Sequence, residues 1–202
     1  MAIVFLLMAY LLPHGTKAQM EKSTYVIEAY GCACSTIDSL PKGRNSIQLG
    51  VRLDASSVIH TALGTLPGCK DFYLNVNGAR YPIRLMSINE RDGLAKFEPV
   101  NVSTNALKVE ELWRASPSFV EAKSKDVDEG RPNYLLYDLQ KKALKTRTLG
   151  GSKLMAIRVG GRVHYEFMLP KRSGTEDELE YLTGGPVWFS GDDNGLLGLV
   201  TA

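Results

Sequence analysis

Short runs of alternating apolar and polar residues, separated by turn-forming residues, fill the chain after Gln19. In the first half, five such runs predict β-strands. They cover residues 24–29, 46–53, 57–62, 72–76 and 81–88. Short strands at this spacing are typical of a sandwich or barrel, so the sequence predicts an all-β fold.

Two-residue turns join some of these runs. Asn77-Gly78 lies between two of them, and both residues tolerate positive φ, so residues 72–86 are predicted to form one hairpin. In the second half, Gly160-Gly161 marks a similar turn. The strand-like runs of that half cover residues 134–139, 153–159, 162–168, 185–189 and 196–200.

A polar segment at residues 116–132 divides the chain into two halves, 19–115 and 133–202. It is rich in Lys, Asp, Glu and Ser and has no apolar period, which predicts a solvated linker. Residues 107–113 fit either one helical turn or a strand. The last apolar run stops close to Ala202, so we expect the C-terminal half to be truncated or to lack a further element.

Residues 1–18 have the layout of a signal peptide. An apolar run is followed by Pro13-His14-Gly15 and then by the small residues Thr16 and Ala18. The run is too short to span a membrane as a helix. Because no basic residue precedes it, a buried N-terminal strand or helix is the alternative. The pattern predicts a secreted or periplasmic protein with no membrane contact after the leader is removed.

Charge and cysteine content narrow the candidate chemistry. The formal net charge is +2 with both signs interleaved, so no nucleic-acid partner is predicted. A bond between Cys32 and Cys34 would be strained, whereas pairing Cys69 with one of them is easier and leaves one thiol over. No paired C-x-x-C spacing is present, so neither a metal nor another cofactor is predicted.

Three segments together resemble a known family. TGGPVW at 183–188, followed by GLLGLV at 195–200, resembles the closing region of trypsin-like and Do-type serine proteases. SVIHTAL at 57–63 is similar to the strand that ends in T-A-A-H in that family, and residues 78–97 look like its hairpin ending in D-[IL]-A. The resemblance implies two packed antiparallel β-barrels, 19–115 and 133–202, on either side of the linker.

The family's chemistry needs a serine nucleophile, a histidine base, an aspartate that orients the base, and backbone N–H donors for the oxyanion. The serine position falls on Thr183, and the histidine position on Leu63 or Gly64. The aspartate position falls on Gly93, with Asp92 one residue earlier. The resemblance therefore implies a degenerate member in which the catalytic triad is lost.

The oxyanion donors of the family are also altered. Tyr181 and Leu182 precede Thr183, where the family has Gly and Asp or Asn. A Cβ at the glycine position disfavours the backbone conformation that points the donor inward.

Two histidines of the mature chain need separate treatment. His60 precedes the expected base by three or four residues, and a register shift would make it a candidate base. If Val58 points into the core then His60 does too, which favours a hydrogen-bonded barrel histidine. His164 lies between Arg162 and Glu166 on an alternating strand, and a solvated strand face accounts for it.

The leading hypothesis is a secreted pseudoprotease that binds a protein or peptide through the cleft between its barrels. An exposed Trp188 or Tyr181 would support such a cleft, whereas core packing is the alternative for both. A second hypothesis is a divergent hydrolase in which Thr183 attacks with help from Asp92 or His60. A third is a structural domain of a larger secreted or viral polypeptide.

Overall fold

A computed structural model of the 202-residue chain gives the fold. It describes residues 20–32, 46–53, 57–63, 66–100, 120–121, 131–149, 155–159, 162–166, 180–189 and 195–201. These residues are mostly in β-strands, which confirms the all-β prediction.

The first half of the chain forms a closed, antiparallel six-stranded barrel. Its strands meet in the order β1-β2-β3-β6-β5-β4, and β4 pairs back to β1. The run β4-β1-β2-β3 is a Greek key, and the β5–β6 hairpin closes the gap between β4 and β3. The strands are β1 (Thr24–Tyr30), β2 (Ser46–Val51), β3 (Ile59–Ala62), β4 (Asp71–Val76), β5 (Ala79–Asn89) and β6 (Leu94–Pro99).

The hairpin predicted at Asn77-Gly78 is confirmed. Val76 pairs with Ala79, and both turn residues have positive φ, 51° and 85°. This combination is that of the two-residue turns whose twist matches a right-handed hairpin. Further along β5, the pairing with β6 shifts at Met86, so the long strand bends there.

Apolar residues from alternate positions fill the barrel. Gly50 keeps β2 close to its neighbours, because a Cβ there would lie 2.6 Å from a methyl of Ile59 and 2.7 Å from one of Ile27. The buried members of this cluster are Tyr25, Ile27, Ala29, Ile59, Leu66, Phe72, Leu74, Tyr81, Ile83, Ala95 and Phe97.

A disulfide bond joins Cys32 to Cys69. This is one of the two pairings that the sequence left open. The bond continues the β1–β4 ladder, since the N–H of Lys70 donates to the carbonyl of Tyr30 at 2.9 Å. It links the end of β1 to a short 3₁₀ turn, Leu66–Gly68, that leads into β4. Cys34 lies outside the described residues.

The second half forms an open sheet and a separate hairpin in the part of the chain that the structure describes. The sheet order is β12-β8-β13-β14-β7, and β9 pairs with β8. β10 pairs only with β11 among the described strands. The strands are β7 (Val120–Glu121), β8 (Pro132–Asp138), β9 (Ala143–Thr148), β10 (Met155–Val159), β11 (Arg162–Glu166), β12 (Glu180–Tyr181), β13 (Pro186–Phe189) and β14 (Gly195–Leu199).

The barrel and the second sheet share one hydrophobic cluster. Residues 20–23 are helical, and Met20 is fully buried in this cluster. Its other buried members come from β1 and β2 of the barrel and from β8 and β13 of the sheet: Val26, Ile47, Leu49, Leu135, Tyr137 and Trp188. The two sheets are therefore packed directly against each other.

Several predicted strands need adjustment. The ten predicted runs each overlap a strand. β9 and β12 were not anticipated, and β6 was expected only through the family resemblance. The predicted linker is not wholly irregular, because β7 lies inside it and pairs in parallel with β14. The predicted signal peptide and residues 107–113 lie outside the described residues.

Candidate functional site

The segment at the family's serine position forms a tight turn. The N–H of Gly185 donates to the carbonyl of Leu182 at 2.9 Å, so Thr183 and Gly184 are its central residues. Gly184 has a φ of +81°, the value that a type II turn requires at its third position. The N–H of Gly184 donates to the carbonyl of Val200 at 2.8 Å, and this bond ties the turn to the end of β14.

This turn docks against β2 of the barrel. The N–H of Leu49 donates to the carbonyl of Thr183 at 2.7 Å. A Cβ on Gly184 would overlap the carbonyl oxygen of Leu49 and the hydroxyl of Thr61. Glycine is therefore needed here for two reasons, the positive φ and the close approach of the backbone.

A buried polar network supports the docked turn from inside the barrel. The hydroxyl of Thr61 donates to the carbonyl of Leu49 at 2.5 Å. The amide nitrogen of Gln48 lies 2.8 Å from both the Thr61 hydroxyl and the carbonyl of Ala62. Gln48 is 2% exposed and Thr61 is 0% exposed. Such fully bonded networks restrict the geometry of the groups that they contact.

The histidine position of the resemblance is occupied by Leu63 or Gly64. Leu63 packs against the barrel cluster, and its N–H donates to the carbonyl of Gly93 at 2.7 Å. Its side chain lies partly buried at the edge of the hydrophobic core and has no group that could accept a proton. Gly64 lies outside the described residues, but glycine has no side chain for this role either.

The aspartate position falls in the turn between β5 and β6. Gly93 has a φ of +64° and lies near the methyl group of Thr201, which is 4.0 Å from where its Cβ would be. One carboxylate oxygen of Asp92 accepts a hydrogen bond of 2.6 Å from the side-chain amide of Asn89. The N–H of Asp92 also lies 3.2 Å from the side-chain oxygen of Asn89. These contacts hold Asp92 within its own turn.

A continuous path of contacts joins the three positions. The backbone of Gly184 is hydrogen-bonded to that of Val200, and the methyl group of the next residue, Thr201, lies near Gly93. The backbone of Gly93 is in turn hydrogen-bonded to that of Leu63. The structure thus brings Thr183, Gly93 and Leu63 to one region where the barrel meets the second sheet. Of these three residues, only Thr183 carries a nucleophilic group.

His60 lies on the outer face of the barrel wall. Its neighbours Ile59 and Thr61 are fully buried, whereas Val58 and His60 are half-buried. The prediction that Val58 and His60 point into the core is wrong, because the side chain of Ile59, between them, is the one that points into the barrel. His60 pairs through its backbone with Lys96 on β6 and with Val51 on β2. His164 lies in β11, opposite Ile157, in the separate hairpin.

The two backbone N–H groups that follow Thr183 are engaged in hydrogen bonds. The N–H groups of Gly184 and Gly185 both donate to carbonyls within the second half of the chain. Tyr181, two residues before Thr183, lies in β12 and pairs with Tyr137 of β8. The stretch that supplies an oxyanion donor in the family is therefore a strand segment in this chain.

The aromatic residues beside the turn differ in exposure. Trp188 is fully buried in the cluster between the two sheets, so it contributes packing and no accessible surface. Its indole nitrogen has no hydrogen-bond partner among the described residues. Tyr181 is half-buried and packs against the same cluster. Of the two aromatics considered, only Tyr181 retains surface at the site.

Sequence reasoning missed Gln48, Leu49 and Thr61 as parts of this site. The available signal was polar residues inside apolar runs, with Gln48 between Ile47 and Leu49 as the clearest case. Buried polar residues need partners, so such a position indicates a specific contact without identifying it.

The described ranges contain neither a cluster of metal-ligating side chains nor a membrane-spanning helix. No three His, Cys, Asp or Glu residues are grouped there so that they could hold a metal ion. No helix in the same ranges has the length and apolar character needed to cross a membrane.

No protein-family model matches the chain, and no curated protein sequence matches it significantly.

Proposed function

We propose that this chain is a trypsin-like pseudoprotease that binds a protein or peptide where its barrel meets the second sheet. The observation that carries the proposal is the path of contacts from Thr183 through Gly93 to Leu63. Three positions far apart in sequence, which the resemblance assigns to one catalytic site, lie in one region of the fold. With a leader of the kind that residues 1–18 resemble, the protein acts in the secreted or periplasmic space.

The barrel supports the proposed relation. It is closed and antiparallel, and its interior is filled by side chains, as expected for a barrel of the implied fold. The second half supports the relation less directly, because its described strands form an open sheet. Packing of the two sheets through a shared cluster matches the implied arrangement of two adjoining β-units.

Residue chemistry argues for binding over hydrolysis. Leu63 and Gly93 cannot accept or orient a proton, and Tyr181, where the family has glycine, lies in strand β12. An acyl-transfer site that lacks its base and its orienting acid loses several orders of magnitude in rate. The surface left for a ligand includes Tyr181 and Thr183, which are half-buried at the junction.

The first experiment tests for a reactive nucleophile. The mature protein, residues 19–202, is treated with a fluorophosphonate probe and analysed by intact mass, beside Thr183→Ala and His60→Ala variants. We expect no adduct on any of the three folded proteins, while a serine protease treated in parallel is labelled. An adduct that disappears in Thr183→Ala or His60→Ala would replace the binding proposal with a divergent hydrolase.

A second experiment tests the binding surface. Peptides are selected from a random library on the mature protein, and their affinities are measured for Thr183→Trp and for Arg84→Trp on the exposed barrel surface. We expect Thr183→Trp to weaken peptide binding by about tenfold or more, because the larger indole side chain would occupy the space proposed for the peptide. Arg84→Trp should leave the affinity unchanged. Equal effects of the two substitutions would contradict binding at the junction.

A further inference from the structure

Positive charge is concentrated on one hairpin. Residues 131–149, which we name the basic hairpin, comprise β8, β9 and the turn between them. They contain five basic residues and one acidic residue, a net charge of +4, although the whole chain carries only +2. The basic residues are Arg131, Lys141, Lys142, Lys145 and Arg147. The remainder of the chain is therefore close to neutral or slightly acidic.

The single acidic residue of the basic hairpin neutralises only part of this charge. Asp138 forms an ion pair with Lys145, and it accepts a hydrogen bond of 2.9 Å from the N–H of Lys141. Lys141 and Lys142 are exposed in the turn. Glu21 lies against β9 from outside the hairpin, where it accepts a hydrogen bond of 2.8 Å from the Thr146 hydroxyl. With Glu21 included, the surface still has a clear excess of positive charge.

On the side away from β8, the backbone of β9 forms an edge of the sheet, next to the basic side chains of the basic hairpin. All six residues of β9 pair with β8 on one side, and no described strand pairs on the other. In an antiparallel strand, every second residue directs its N–H and C=O away from a given neighbour. Such an edge is a template for an added strand.

An open groove of about 430 Å³ lies beside β9. It is lined by Glu21 and by Leu144, Lys145, Thr146 and Arg147. The groove therefore offers space next to backbone groups and basic side chains.

We propose that the outer edge of β9 binds an extended acidic peptide as an additional β-strand. Backbone hydrogen bonds to the edge would hold the peptide, and its carboxylates would face Arg147 and the exposed lysines of the turn. Charge complementarity of this kind selects the partner and speeds the encounter.

The same basic residues could have two other roles, which the test must distinguish from peptide binding. Lysines on edge strands can serve to keep other strands away, and clustered basic residues can attract nucleic acid. The open backbone edge favours a peptide, because nucleic acid has no backbone groups that extend a β-ladder.

The test uses a fluorescein-labelled octapeptide of alternating glutamate and valine, with a lysine–valine peptide as its control. Fluorescence anisotropy is measured with the mature protein and with Lys141→Glu, Arg147→Glu and Lys96→Glu variants. We expect the glutamate peptide alone to bind. Lys141→Glu and Arg147→Glu should each weaken it by about tenfold, as for charged groups in an interface. Lys96→Glu, the same charge change on the barrel surface, should change it less than twofold.

Amide hydrogen exchange locates the peptide. We expect exchange to slow in β9 when the glutamate peptide is bound, because edge N–H groups become hydrogen-bonded. The proposal would be overturned by unchanged exchange in β9 or by an equal loss of peptide affinity in Lys96→Glu. It would also be overturned if the glutamate peptide did not bind, in which case the lysines would serve to prevent other strands from pairing with this edge. A single-stranded oligonucleotide of equal charge that binds more tightly would also overturn it. Circular dichroism checks that each variant is folded.

Discussion

Replacing Gly184 with alanine is expected to weaken the attachment of the Thr183 turn to β2. Gly184 has positive φ, and its Cα faces the carbonyl oxygen of Leu49 and the hydroxyl of Thr61 without room for a Cβ. The structure predicts two separate costs, one from backbone conformation and one from overlap. A matched control can separate them.

The magnitude follows from these two costs. Alanine in the left-handed region costs about 1–2 kcal/mol, and overpacking of a filled site adds about 1–3 kcal/mol. The lower entropy of the unfolded alanine chain offsets about 0.4–1 kcal/mol. We therefore expect Gly184→Ala to lower the free energy of unfolding by about 1–5 kcal/mol.

Gly78→Ala is the matched control. Gly78 has a similar φ of +85°, but nothing lies within 4 Å of the position that its Cβ would take. Only the conformational cost applies, so we expect a loss of about 1 kcal/mol or less. The difference between the two variants measures the overlap at the docked turn.

Urea unfolding followed by tryptophan fluorescence gives both free energies, because Trp188 is buried between the sheets. Amide exchange at Leu49 gives a local measure, since its N–H donates to Thr183. We expect Gly184→Ala, and not Gly78→Ala, to speed exchange at Leu49. Equal losses of stability in the two variants, with Leu49 exchange unchanged, would refute the docking of the turn.

Three further perturbations test other parts of the fold. Thr61→Val leaves the carbonyl of Leu49 without its buried donor, so the free energy of unfolding should fall by about 1–3 kcal/mol in urea titrations; no loss would show that the network is dispensable. Replacing both Cys32 and Cys69 with serine should cost about 3–4 kcal/mol, because the bond closes a loop of 37 residues in the unfolded chain; an unchanged urea midpoint would contradict this. The hydrogen bond from Lys145 lowers the pKa of Asp138 below its usual 3.8, and the N–H of Lys141 adds to the effect. The stability that Asp138 provides over Asp138→Asn is then complete above about pH 5, well above the unfolded pKa, and is lost as the pH falls through the lowered pKa. A difference between these two proteins that does not change between pH 7 and pH 2 would count against the pairing.

Local chemistry explains which elements the sequence predicted. The β4–β5 hairpin follows from Asn77-Gly78, whose positive φ values need no tertiary contact. The burial of Trp188 follows from its position within the apolar run of β13. By contrast, β9 is rich in Lys, Thr and Arg and shows no clear alternation of apolar and polar residues. Only its pairing with β8 identifies it as a strand.

The face of β3 and the docking of the turn could not be predicted for a different reason. Thr61 is fully buried because it bonds to the carbonyl of Leu49, a contact across the sheet that the alternation of β3 does not contain. The need for glycine at position 184 likewise depends on the distance to β2. The sequence identified a Gly-Gly-Pro turn, but its attachment to the barrel is a tertiary property.

The cluster between the sheets has a consequence for how the molecule can be divided. Val26 and Leu49 belong to the barrel, yet they cover Leu135 and Trp188 of the second sheet. A barrel cut free at residue 100 would expose this apolar strip to water and lose a large part of its hydrophobic stabilisation. We therefore expect the two halves to unfold together, and we expect a substitution at Trp188 also to disturb the outer wall of the barrel.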